Sequence, residues 1–101
     1  MKLVFTLLAR QDLMRLRQFI AEHNPDAAER AAARLKAAAR LVAEQPLVGR
    51  VAPAPSTSRP DVRELPVPFG ASGYLIRYQV LKTEVRILRV WHGREDWQNA
   101  E

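Results

Sequence analysis

The chain has 101 residues, no cysteine and a formal charge of +5, with an isoelectric point near 10.4. That length supports one modest core and a single domain over residues 1–101, and the missing cysteines exclude a disulfide framework and a thiolate metal site. The excess of cations makes nucleic acid, an acidic protein and a membrane surface the candidate partners; no apolar run reaches the ~20 residues of a bilayer span, and the expectation is a cytoplasmic home with no membrane partner.

Leu3, Phe5 and Leu7 alternate with Lys2, Val4 and Thr6, which predicts a first strand over residues 3–8. Leu13, Leu16 and Ile20, with Phe19 alongside, then recur at helical spacing as far as Glu22 or His23. Asp12 is expected in the first turn of that helix, where a negative charge favours the dipole. Asn24-Pro25-Asp26 restarts the helix: asparagine suits the N-cap and proline the first helical position. The second helix is predicted from Pro25 to about Glu44, with Ala28, Ala31, Leu35, Ala38 and Val42 as its apolar stripe and Asp26–Arg30 as a supporting pair. So short a gap forces an antiparallel helical hairpin.

Gln45-Pro46 ends the second helix, residues 47–50 read as a turn, and Pro53, Pro55 and Pro60 mark a loop over residues 51–61. Strands follow at residues 62–67, with Pro66 at an edge or bend, and at residues 74–80. A turn over residues 81–84 leads into the stretch that organises the rest. Residues 84–97 read as a strand, a glycine turn and a basic-aromatic tail, with Arg86, Arg89, His92 and Arg94 interleaved among Val85, Ile87, Leu88, Val90 and Trp91. The fold class is α+β: an N-terminal strand, a two-helix antiparallel hairpin, then a three-stranded antiparallel meander, with the helices on one face of the sheet.

The corner at Asn24-Pro25, the Pro46-Leu47-Val48-Gly49-Arg50 turn, and Arg63-Glu64-Leu65 followed by residues 74–78 and 85–96 together resemble the RelE/ParE superfamily of type II toxin-antitoxin toxins. The ending Ile87-Leu88-Arg89-Val90-Trp91-His92-Gly93-Arg94 looks most like the ParE branch. The resemblance implies a toxin held in a hetero-oligomer by a small cognate antitoxin, ParD-like or related, whose tail wraps it. A ParE-like member would poison DNA gyrase by binding; a RelE-like member would cut messenger RNA on the ribosome.

RNA cleavage by 2′-hydroxyl attack needs a base, an acid and cations for the phosphate. The chain offers Arg63, Arg77, Arg89 and His92 for it. Arginine clamps a phosphate but is a poor base, so His92 alone titrates usefully, where two such groups are wanted. The bland alternatives are a turn histidine, a buried and paired Arg63, a solvated face of Arg77, Arg86 and Arg89, and tryptophans used as core and lid. The favoured reading is non-catalytic, with Arg89, Trp91, His92, Arg94 and Trp97 touching the target. No glycine-rich phosphate loop occurs, two distant histidines make no zinc site, and no cofactor or metal is expected. A basic nucleic-acid-binding module without chemistry is the third reading.

Overall fold

The computed structural model describes residues 1–53, 61–70 and 72–93. The elements in order are β1 (Lys2–Phe5), α1 (Leu7–His23), α2 (Pro25–Glu44), β2 (Arg50–Val51), β3 (Val62–Val67), β4 (Tyr74–Val80) and β5 (Glu84–His92). One sheet runs β1-β5-β4-β3-β2, parallel between β1 and β5 and antiparallel elsewhere. The α+β arrangement expected from the sequence is therefore present, with one addition: the predicted turn over residues 47–50 leads into a two-residue strand, β2, that pairs with Arg63 and Glu64.

The first strand is shorter than its alternation suggests. Thr6 Oγ1 accepts the Ala9 N–H at 3.1 Å and donates to the Leu88 carbonyl at 3.0 Å. That N-cap, worth about 1 kcal/mol, starts α1 at Leu7 rather than after residue 8. Leu7 and Leu8, assigned to the strand by their hydrophobicity, stand on the helix at 70% and 51% exposure. At the corner Asn24 serves both helices. Its N–H closes α1 on the Ile20 carbonyl, and its side chain accepts the Ala27 N–H to open α2.

Ala28, Ala31, Leu35, Ala38 and Val42 are all buried, as their spacing predicts. Ala31, Leu35, Ala38 and Val42, with Leu16, pack onto Ile76, Tyr78, Val85, Ile87 and Val90, and Leu3 and Phe5 of β1 complete that face. Side chains opposite each other on neighbouring strands share a face, so Leu65, Val67 and Tyr74 belong to the helix side as well. Pro66 is tolerated for a reason the ladder makes plain. The Val62 carbonyl accepts the Ala52 N–H, so Val62, Glu64 and Pro66 turn their backbone groups toward β2. β2 has already ended there, and the missing donor falls on an open edge.

The turn after α2 is locked by Tyr78. Its hydroxyl donates to the Pro46 carbonyl at 2.7 Å and accepts the Gly49 N–H at 2.8 Å, while Arg63 Nη1 donates to the Gly49 carbonyl at 2.7 Å. Burial pushes the Tyr78 phenol above its ordinary 10.0, so it stays a donor. A Cβ on Gly49 would lie 2.6 Å from both the Glu64 carbonyl oxygen and the Tyr78 hydroxyl. Gly49→Ala is therefore expected to lower unfolding free energy by about 1–3 kcal/mol, the usual cost of overpacking; chemical denaturation measures it, and an unchanged midpoint would refute the clash.

Candidate functional site

The ladder between β4 and β5 slips by one residue: Arg77 pairs with Arg89, but Tyr78 pairs with Ile87, leaving Leu88 as a bulge. The slip sends Val90 into the core and turns Arg89 and Trp91 to the face away from the helices. Arg77 shares that face. Its guanidinium lies 4.8 Å from the centre of the Trp91 ring and that of Arg89 lies 5.1 Å from it. Each contact contributes roughly 0.5–2 kcal/mol.

Two like charges directly opposite on a sheet repel. Here each is answered by a buried acid. Arg77 donates from Nε and Nη2 to Glu64 Oε2 at 3.1 and 2.7 Å. Arg89 donates from Nε to Asp12 Oδ2 at 2.8 Å and from Nη2 to Oδ1 at 3.0 Å, a forked pair. Asp12 Oδ2 also accepts the Val90 N–H at 2.9 Å, on the edge of β5 left open where β1 stops, and Arg15 approaches Oδ1 at 3.2 Å. Burial alone would raise the Asp12 carboxyl. The bonds from Arg89, the Val90 N–H and Arg15, with the Arg89 charge, outweigh it and hold the group below 3.8. Asp12 is thus not the dipole partner its position suggested; α1 has no acid in its first turn. Glu64 is fully buried. Among the described residues its Oε1 has no hydrogen bond, and Arg50 Nη2 stands 3.7 Å from it.

The candidate residues do not converge. Arg63, opposite Tyr78, sits on the helix side holding Gly49. Arg77 and Arg89 occupy the other face, each paired with an acid, so they are not the solvated surface considered from the sequence. Trp91 is 2% exposed and packs as core. His92, opposite Tyr74, returns to the helix side, meeting that ring edge-on at 5.5 Å. Arg94 and Trp97 lie outside the described residues. His23 stays at the hairpin corner, its ring against Phe19. Gly93 is required by packing: a Cβ there would strike the Ser72 carbonyl oxygen at 2.2 Å.

A second feature lies between the helices and the sheet. The alanines of α2 are too short to fill the space beneath them, and an apolar slot of about 320 Å³ remains. Ile76, Ile87 and Val90 form its floor, and Met14, Arg17 and Lys36 stand at its lining. Met14 and Phe19 are 72% and 58% exposed along α1.

A family model described as the ParE toxin of the type II toxin-antitoxin system, parDE, matches residues 3–97. This chain belongs to the ParE family of toxins. As a ParE-family protein it is the toxin component of a type II system. Its relatives include "Toxin RelE1" of Caulobacter vibrioides, 38% identical over 92% of this chain and 98% of that one. "Toxin RelE2" of the same organism is 41% identical over 91% and 94%. Among solved structures, a chain of the chromosomal ParDE TA system from P. aeruginosa shares the fold at a TM-score of 0.72. It is 21% identical and the match covers 91% of this ParE-family chain and 95% of that chain.

Proposed function

We propose that this toxin poisons DNA gyrase by binding it and that a ParD-like antitoxin keeps it harmless. One observation carries the non-catalytic reading. The four residues available for RNA cleavage are divided between the two faces of the sheet, and Arg63, Arg77 and Arg89 are each committed to an internal acceptor. These four residues therefore do not bring an acid, a base and a phosphate clamp to one point. Arg89 and Trp91 instead fix the end of β5, from which His92 and the following Arg94 and Trp97 meet the target.

The antitoxin side rests on the slot. An apolar segment of the partner fills it, flanked by acids facing Arg17 and Lys36, and in doing so covers Met14. The partnership follows the ParDE pairing of the solved relative. The second reading, an mRNA endoribonuclease on the ribosome, is favoured by the relatives' RelE names and by His92 lying against Tyr74, two titratable groups side by side. Among the described residues no helix is long and apolar enough to cross a membrane, and a cytoplasmic site of action follows from either target.

Gyrase supercoiling reactions and translating ribosomes, each given the purified chain, separate the readings. The expected result is blocked supercoiling with intact message, and a His92→Ala effect below about tenfold. Loss of a working acid or base would cost about 10²–10⁴-fold. Cleaved message that disappears in His92→Ala would overturn the proposal, and inactivity in both assays would favour the plain nucleic-acid-binding module.

A further inference from the structure

An open groove of about 770 Å³ runs along the outward side of α2, facing the β3–β4 turn at Pro68, Phe69 and Gly70. Its helical wall sets Arg30 and Arg34 among three alanine methyls, and among the described residues no acid lines it. Arg34 Nη1 donates to the Pro68 carbonyl at 2.9 Å, which ties the two walls; unlike part-buried Arg63, this guanidinium is exposed, and that bond uses one of its five N–H donors. Arg30 is exposed and makes no hydrogen bond or ion pair among the described residues; the Asp26 partner that its spacing predicted is not engaged. The groove also adjoins the end of β5. Phe69 packs at a tilt on Tyr74, ring centres 5.8 Å apart, and Tyr74 meets His92.

The groove and the slot suit different occupants. Protein interfaces draw most of their energy from a few large side chains buried in pockets. The slot, enclosed and floored by aliphatic residues, supplies such a pocket; the groove is more open and sets two arginines beside its alanines, Pro68 and Phe69. Nucleic acid is gripped mainly through phosphates, by cations on a surface that the backbone can approach closely. Arg30 and Arg34 lie one helical turn apart, about 6 Å along the axis, so the two guanidinium groups can serve neighbouring phosphates. Resting on the reading of gyrase as target, whose substrate is duplex DNA, we propose that the α2 groove seats the phosphate backbone of duplex DNA, with Arg30 and Arg34 as its contacts.

The test measures binding of a fluorescein-labelled duplex of mixed sequence, about 20 base pairs long, between about 50 and 200 mM salt. Wild type is compared with Arg30→Gln/Arg34→Gln and with Lys82→Gln at the opposite end of β4. Glutamine keeps the helix and a donor for Pro68, and a thermal melt checks the fold. Each phosphate contact contributes about 0.9 to the slope of log K against log salt. The double variant should flatten that slope by about 2 and weaken binding at low salt more than tenfold, while Lys82→Gln leaves both unchanged. No binding by wild type, or an unchanged slope in the double variant, overturns the proposal. So does a double variant that binds DNA normally but loses gyrase or antitoxin, which would make the groove a protein seat, or an arginine-dependent preference for single-stranded RNA. Arginine-dependent DNA binding without inhibition of supercoiling would remove gyrase as target and leave the DNA contact standing.

Discussion

Asp12→Ala should destabilise this toxin by about 3 kcal/mol, a large share of the 5–15 kcal/mol that holds a small domain together. One carboxylate satisfies the Arg89 fork, the Val90 N–H and part of Arg15. Removing it leaves a buried backbone donor unpaired, which costs about 1–3 kcal/mol, and strips the counter-charge from Arg89 beside Arg77. The Arg89 side chain is 21% exposed, so water recovers part of that loss, and the figure stays at the low end for a broken buried pair. The melting temperature should fall by more than about 10 °C. The pH dependence has a definite sign. A carboxyl whose folded pKa lies below the unfolded value contributes stability that is complete above the unfolded value and lost as pH falls through the folded one. Wild type should therefore lose stability below about pH 4, and Asp12→Asn should lose less over the same interval. Melts of the three proteins at neutral and acid pH check both statements. A wild-type midpoint retained by Asp12→Ala would show that α1 is anchored by its apolar face alone.

Glu64→Ala should cost still more, about 3–5 kcal/mol, because the guanidinium it abandons is nearly sealed: Arg77 is 5% exposed and Glu64 fully buried. The repair is the sharper half of the prediction. Glu64 Oε1 lacks a hydrogen bond among the described residues, so the pair is imperfectly satisfied and its desolvation only partly offset. Replacing both partners by apolar residues of similar size, as in Glu64→Leu/Arg77→Met, should restore most of the stability lost in either single variant. A double-mutant cycle by urea denaturation measures the coupling. Additive losses would mean that the two side chains act independently and that the pair does not organise this face.

The hairpin was legible because its signals are local. Asn24-Pro25 marks the corner, Pro46 the stop, and the alanine-rich stripe the buried side. The three antiparallel strands were legible for the same reason. What escaped were features made by partners distant in sequence or by a single polar group. Thr6 reads as one more residue of an alternating strand until the Leu88 carbonyl, 82 residues away, is seen to hold it. Asp12 looks like a helix-dipole residue until Arg89 arrives. The bulge had a visible trace in the doubled Ile87-Leu88, which breaks the period of two and decides which way Arg89 and Trp91 point. β2 carries only two residues, too few for any pattern. The candidate site suffered most because β4, at the centre of the sheet, is buried on both faces. Alternation then separates helix side from far side but not inside from outside, and basic residues that looked like surface were structural.

The pairing of β1 with β5 has a consequence for how the toxin is born. The first strand waits for a partner made some 82 residues later, roughly 4–16 s at ordinary rates of synthesis. During that interval α1 has no carbonyl to anchor its start and Asp12 has no guanidinium. Ile87 and Val90 of β5 also floor the apolar slot, so neither that slot nor the Asp12–Arg89 fork exists on a nascent chain until β5 has left the ribosome.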